Sequence, residues 1–463
     1  MSSLLTVGAD RTSSNGEVTS VLAWSYTPPG HSSGIVIHLL SGWFPTVVEV
    51  VTVAVVLAAI GWRTRRWRVL WVPVAAAVGA VVAVIVYVVL DARGLSPDSA
   101  PTLFWVWTVV GSAVLMLTII GIRSGRWWQH VSMAFAIPLA VFCLALSVNQ
   151  WSGYYPTLDR AVAGLTAQPL PNETTVAKLV TFRNKPETVK TGRVVAIRTP
   201  SSVSHFHPRT EYVYLPPAWF TGATPPPLPA VIMIGGVVNT PQDWVRSGDA
   251  LAISDAYARD HGGRAPILVL VDPSGNLTTD TECVDGPRGN VDTHITDEVR
   301  PYVISHFGAA SAARNWAVVG WSMGGTCAID LVVRHPEKFA TFVDISGDIG
   351  PNVGDKQSTI NALYGGDSRA WDRFDPATVM RAHGRYTDVA GWFRSEGHRS
   401  SKDGAVVSSQ AEAARELSAI ARSVGISTSE RYAVGPHTWA FGAQSFAEAL
   451  PWLHNRIDPG TVG

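Results

Sequence analysis

The sequence predicts a two-part chain: about four membrane-spanning helices, then an α/β domain with a mostly parallel sheet and helices on both faces. Three observations predict it. Long apolar runs are concentrated before about residue 150. Short apolar runs alternate with helix-like stretches in the last 270 or so residues, from about Thr191 onward. One of those short runs leads directly into Gly320-Trp321-Ser322-Met323-Gly324, where a strand must turn sharply into a helix.

The bulk composition agrees. A chain of 463 residues has room for two or three domains. Hydrophobic residues make up 47% and charged residues 16%. A soluble domain is nearer one quarter charged, so part of this chain belongs outside water. The formal net charge of +0 argues against a nucleic-acid partner held by phosphate attraction. The 3 Cys are too few for a disulfide scaffold and lack zinc-site spacing. No metal and no cofactor are expected.

The apolar runs are Val47 to Ile60, Val69 to Leu90, Leu103 to Ile122 and Val131 to Val148. The second and third can cross ~30 Å of hydrocarbon as helices. The first and fourth reach that length with their flanks. Several of the 18 Trp lie near the run ends, where the membrane interface favours them. Arg63, Arg65, Arg66 and Arg68 follow the first run, and Arg123 and Arg126 follow the third. Basic loops stay in the cytoplasm, so residues 1–33 and everything after Trp151 are expected on the extracytoplasmic face of a bacterial membrane. The polar first 33 residues lack the basic start and apolar core of a cleavable signal peptide. The expected organisation is thus an extracytoplasmic segment 1–33, a transmembrane region 34–149 of about four helices, a mixed and polar connector 150–190 with room for one helix, and an extracytoplasmic α/β domain 191–463. Glu49 inside the first run is a functional candidate, although Trp43 and Pro45 place it toward the headgroups. Cys143 in the fourth run reads as a small apolar filler.

In the second half, strands are expected at Val194–Ile197, Glu211–Leu215, Ala230–Ile234, Ile267–Val271, Trp316–Trp321, Phe339–Ile345 and Val389–Arg394. Continuous apolar runs such as Ala230–Ile234 suit strands buried on both faces. Helices are expected at Ala250–Asp260, Asp297–His306, Gln410–Val424 and Gln444–Leu453, with another running to Arg334 after Ser322.

The chemistry starts at Ser322. A G-x-S-x-G turn between a strand and a helix lifts the serine Oγ out of the sheet, beside a helix N-terminus that favours negative charge. A serine needs a base. His437, in Gly435-Pro436-His437-Thr438-Trp439, follows a strand and precedes the last helix, where the base belongs. His383 comes too early in chain order, and His398 sits in the loop expected to carry the acid. Asp403 is the preferred acid, Glu396 the alternative, and Asp348 a third candidate. The oxyanion donors are expected to be the N–H of Met323 and that of Val237 in the Gly235-Gly236-Val237-Val238 loop. Cys283 and Cys327 are the only thiols of the second half, and a disulfide between them is a candidate on the exported side.

From Thr191 to Arg456 these features resemble the esterase branch of the α/β-hydrolases, which includes esterase D-like enzymes and mycolyltransferases. Arg209-Thr210-Glu211-Tyr212-Val213-Tyr214-Leu215-Pro216-Pro217 resembles an early strand of that family, Gln242-Asp243-Trp244 its motif after the oxyanion loop, and His437-Thr438-Trp439 its histidine motif. Asp280 to Asp285 and Gly324 to Ala328 resemble paired segments of actinobacterial, membrane-anchored members. The resemblance implies Ser322 as nucleophile, His437 as base, and Val237 and Met323 as oxyanion donors. The family's acid sits in a short turn, whereas the stretch from Glu396 to Asp403 is longer, so the acid stays open between these two.

The expected function is a membrane-anchored extracytoplasmic serine esterase acting on a lipid or envelope ester. Aminoacyl esters of phosphatidylglycerol are one case that the resemblance implies. An acyltransferase moving the acyl group to a sugar or glycolipid hydroxyl would use the same residues. A non-catalytic envelope scaffold is disfavoured by the intact Ser322 and His437, and a transporter by spans nearly free of ionisable residues.

Overall fold

The computed structural model describes residues 36–60, 64–92, 100–121, 127–186, 189–222 and 224–458. The segment 1–33 lies outside the described residues, as do Arg63, Arg123 and Arg126 of the orientation argument.

The apolar runs form four helices: α1 (Trp43–Ile60), α2 (Val72–Ala92), α3 (Thr102–Gly121) and α4 (Trp127–Ser152). A π-helical turn, Trp67–Trp71, leads into α2. The flanks lengthen the first and fourth runs, and all four helices are long and apolar enough to cross a membrane. Their side chains are apolar outside as well as inside: Val81, Val84, Ile85, Phe135 and Val141 are exposed. A helix that is apolar all round is not stable against water. Inside, Val56, Ala59, Val114, Met133 and Ala136 pack together. Gly79 lets α2 approach α3 until a side chain there would fall on the Val109 carbonyl, as small residues do at helix contacts in bilayers. Glu49 is half-buried on α1. Cys143 is buried, its thiol 3.2 Å from Thr52 Oγ1.

The connector holds more structure than its composition suggests. It contains two helices, α5 (Leu158–Leu165) and α6 (Val176–Arg183), with a two-residue strand β1 (Glu173–Thr174) between them. β1 pairs in parallel with β2 (Arg193–Ile197), so the connector supplies the edge of the main sheet. Two residues carry too little periodicity to be seen as a strand.

The sheet continues through β3 (Glu211–Leu215), β4 (Ala230–Ile234) and β5 (Ile267–Leu270). A small separate hairpin, β6 (Asp285–Gly286) with β7 (Gly289–Asn290), follows. Then come β8 (Trp316–Trp321), β9 (Thr341–Ile345), β10 (Ala390–Arg399), β11 (Val406–Val407) and β12 (Ser427–Val434). The order across the sheet is β1-β2-β3-β5-β4-β8-β9-β10, with β12 parallel on the far side of β10 and β11 antiparallel to its end. From β5 to β12 the neighbouring strands along this path run parallel; β2–β3 and β3–β5 are antiparallel. This is the expected mostly parallel sheet.

Alternation divides the core between two faces. Ile232, Ile234 and Val318 join one buried cluster with Ile329 and Val332 of the helix Met323–Arg334. Val231, Met233 and Val319 join the other, with Ile253 and Leu450 of the helices Ala250–Asp260 and Trp439–Ile457. Both faces are therefore covered, which is why the central strands read as continuous apolar runs.

Several boundaries shift. β9 begins at Thr341 rather than Phe339. The last helix is Trp439–Ile457, longer at both ends than expected. The helix foreseen at Asp297–His306 is a π-helical turn, His294–Val299, followed by Arg300–Phe307. β10 runs to Arg399 instead of stopping at Arg394, because β12 pairs with it as far as Gly397 and β11 with His398 and Arg399.

Candidate active site

The polar groups of the site stand at the carboxyl ends of parallel strands, where open α/β sheets place their ligands. β8 ends one residue before Ser322, and the helix Met323–Arg334 begins one residue after it. Ser322 itself takes φ 59° and ψ −126°, a conformation that costs energy for a residue with a Cβ. The surrounding glycines make it possible. A side chain on Gly320 would fall on the Gly324 carbonyl, and one on Gly324 would fall on the Ile234 carbonyl.

His437, in the turn after β12, reaches over the strand ends. Its Nε2 is 3.0 Å from Ser322 Oγ, and its Nδ1 is 2.7 Å from Glu396 Oε1. An ionised carboxylate only accepts, so Nδ1–H donates to Glu396 and Nε2 is left to accept from the serine hydroxyl. The imidazole stacks on Trp321, with ring centroids 4.3 Å apart, which fixes its plane.

The carboxylate that meets His437 is that of Glu396. It lies within β10, is 3% exposed, and accepts a second hydrogen bond from Ser346 Oγ. Burial works to raise its pKa, but the hydrogen bonds from His437 and Ser346 outweigh burial and hold the carboxyl below its ordinary range. Asp403, the preferred candidate, does not come near His437. It lies in the exposed turn between β10 and β11, where its carboxylate accepts from its own loop at Ala405 N–H, 3.1 Å away. The correction follows from β10 running five residues past Arg394, which turns Glu396 into an inward-facing strand residue and carries Asp403 outward. Asp348 accepts from Gln410 at 3.2 Å and from Asn352 at 2.9 Å. His398 is exposed at the end of β10, and His383 is exposed and stacks on Tyr386.

The loop after β4 lies against the serine. A Cβ on Gly236 would stand 3.2 Å from Ser322 Cβ, so the backbone here approaches closely because it has no side chain. Asn239 closes this loop: its Oδ1 accepts from Gly236 N–H at 2.7 Å. Arg209 donates to the Asn239 carbonyl at 2.7 Å and is itself held by the buried Asp272 at 2.6 Å. Met323 opens its helix, so its N–H has no acceptor within that helix. Met323 directly follows Ser322, and the Gly236 backbone approaches the serine from the loop after β4.

Cys283 and Cys327 are joined as a disulfide. Cys327 sits on the helix behind Ser322, so the bridge ties the segment before the small hairpin to the elbow helix. Among the described residues there is no cluster of His, Cys, Asp and Glu arranged to hold a metal ion.

Sequence reasoning missed several supporting residues. Ser346 and Trp321, the stacking partner of His437, left no signal because each meets a residue far away in the chain, and Asn239 left none because an Asn in a loop marks no particular partner. Arg209 and Asp243 did leave one: both lie in segments whose resemblance to the esterase branch was legible.

The comparisons place the chain. The Putative esterase family matches residues 202–453, more than half of the chain. The chain belongs to that family. A Corynebacterium glutamicum protein of uncharacterised function is 28% identical over 426 residues, covering 88% of this chain and 94% of that one. The S-formylglutathione hydrolase of Paracoccus denitrificans is 26% identical over 191 residues, or 38% of this chain and 66% of that one. Among solved structures, an S-formylglutathione hydrolase of Agrobacterium tumefaciens is similar at 18% identity and a TM-score of 0.48, covering 58% of this chain and 97% of that one. The second half is an α/β-hydrolase domain of the esterase family, joined to four long apolar helices.

Proposed function

We propose that this protein is a membrane-embedded serine esterase that hydrolyses a lipid or envelope ester through an acyl-enzyme on Ser322, with its catalytic domain on the extracytoplasmic face. The observation that carries the reading is the unbroken hydrogen-bonded chain from Ser322 Oγ through His437 to the buried Glu396.

In this reading Ser322 Oγ attacks the ester carbonyl and its proton passes to His437 Nε2. Glu396 stabilises the imidazolium through Nδ1–H. The N–H groups of Val237 and Met323 take the negative charge that develops on the carbonyl oxygen. The tetrahedral intermediate collapses, and His437 returns the proton to the departing alcohol. A water molecule, deprotonated by the same Nε2, then attacks the acyl-enzyme and releases the acid and free Ser322 Oγ–H.

Two further observations support the setting. The disulfide suits an oxidising compartment. Four candidate spans, with Arg65, Arg66 and Arg68 after the first, support a catalytic domain on the side opposite those arginines. The test is labelling of the full-length protein by a fluorophosphonate probe. Wild type should label and turn over a p-nitrophenyl ester, and Ser322→Ala should do neither. Labelling that persists in Ser322→Ala would reject the nucleophile. Protease treatment of cells with a permeabilised outer envelope should cut the catalytic domain; full protection would reject the orientation.

A further inference from the structure

Helix α4 ends at Ser152, and the residues that follow run into the rim of the site. Asn149 sets the turn: its Nδ2 donates to the Tyr155 carbonyl at 2.8 Å, and its Oδ1 accepts from Tyr155 N–H at 2.7 Å. The chain leaves the helix at a fixed angle. Gly153, at φ +62°, then lies against the loop that carries the base. A Cβ on it would stand 2.7 Å from Thr438 Cβ and 3.4 Å from Trp439 N, and Thr438 directly follows His437.

Tyr154 enters from the same turn and donates its hydroxyl to Asp243 Oδ2. Asp243 is 3% exposed. The same carboxylate oxygen accepts from Thr240 N–H at 2.6 Å and from Thr240 Oγ1 at 2.9 Å. Thr240 adjoins Asn239, which holds Gly236 beside Ser322. One helix exit therefore meets both the base loop and the oxyanion loop. Arg160 of α5 widens the contact, donating to the Arg246 carbonyl at 3.0 Å and pairing with Asp249 at 2.7 Å. Burial pushes the Asp243 carboxyl above its ordinary range, against the hydrogen bonds from Thr240 and Tyr154. Loss of the Tyr154 hydroxyl leaves this buried group one donor short, a cost that disfavours the present arrangement of Asp243 and the Thr240 loop bonded to it.

We propose that Tyr154 is a positioning residue for the esterase reaction: through Asp243 and Thr240 it sets the oxyanion loop, which makes the exit of α4 part of the active site. The proposal rests on the reading of Ser322 as an esterase nucleophile. It implies that the catalytic domain and the apolar bundle work as one body.

The test uses the full chain in detergent micelles, with Tyr154→Phe, Asp243→Asn and the double variant, assayed on a p-nitrophenyl ester. Loss of one oxyanion contact lowers kcat by about 10²-fold, so a displaced loop should lower kcat and the fluorophosphonate labelling rate by about 10-fold in each single variant. KM should stay within about twofold, and the double variant should be no worse than the single ones. Should Tyr154→Phe fail to fold, Thr240→Val tests the same link from the loop side and should give the same kcat loss. A lowered melting temperature with wild-type kcat below it, or additive losses in the double variant, overturns the proposal. Turnover that persists in Ser322→Ala instead overturns the underlying esterase reading.

Discussion

The segments Gly320–Gly325 and Glu396–Asp403 both stand at the carboxyl ends of parallel strands, and both contribute to the same hydrogen-bonded chain. They are specified differently. The first is defined by its own sterics. Gly320 and Gly324 are needed where backbones touch, and Ser322 sits between them in a backbone conformation that tolerates no larger neighbours. The second is defined by partners far away in sequence. Glu396 faces inward because β12 pairs with β10 through Gly397↔Val434, and because Ser346 and His437 are there to meet its carboxylate. A locally built turn is legible from six residues, whereas a strand that continues because another strand lies beside it is not.

The largest effect should come from breaking the local turn. Gly320→Ala puts a methyl group on the Gly324 carbonyl, and the strand and helix cannot both keep their places. Loss of folded protein is expected, read as aggregation on size exclusion and absence of probe labelling. A folded, active Gly320→Ala would show that the turn has slack that the contacts do not suggest.

Next is the acid. Glu396→Gln replaces an acceptor-only carboxylate by an amide whose NH2 can donate to His437 Nδ1 and fix the other tautomer, and kcat should fall by about 10³- to 10⁴-fold. Asp403→Asn changes an exposed turn and should leave kcat within about twofold of wild type. Side-by-side kinetics of these two variants decide the point; equal losses would mean that the β10–β11 turn moves onto His437 during turnover.

The disulfide should matter less. It closes a separation of 44 residues, and replacing Cys283 and Cys327 together by Ser should cost about 2–4 kcal/mol. Denaturant unfolding of the variant against the oxidised wild type measures it, and an unchanged midpoint would show that the elbow helix needs no tie.

A pH-dependent effect separates two neighbouring carboxyls. Asp344 of β9 is fully buried, and burial, against one backbone hydrogen bond from Gly347, raises its pKa to about 7. Its folded pKa is above the unfolded value, so the folded state keeps a proton that the unfolded state loses. Stability should fall by about 1.4 kcal/mol per pH unit as pH rises from about 4 to 7. Asp344→Asn should flatten that slope. Glu396 has the opposite sign: its pKa is lowered, so its contribution is present above the unfolded value and is lost as pH falls through the folded one. Unfolding midpoints of Asp344→Asn at several pH values test this, and a slope equal to wild type would place the buried proton elsewhere.

Much of the molecule was determined by the sequence on its own. The four apolar helices, the strands β3, β4 and β8 to the residue, the elbow at Ser322 and the histidine after the last strand all rest on local properties: length of apolar run, alternation, and glycines at a turn. What only the tertiary structure decided is which groups meet. Glu396 instead of Asp403, Ser346 behind it, β1 at the sheet edge, and Tyr154 reaching from the end of α4 to Asp243 all depend on partners distant in the chain, 89 residues away for Tyr154 and 115 for the pairing of His437 with Ser322. A side chain's residue type says what it can bond to. Only the packed sheet and the helix exit beside it say which partner is within 3 Å.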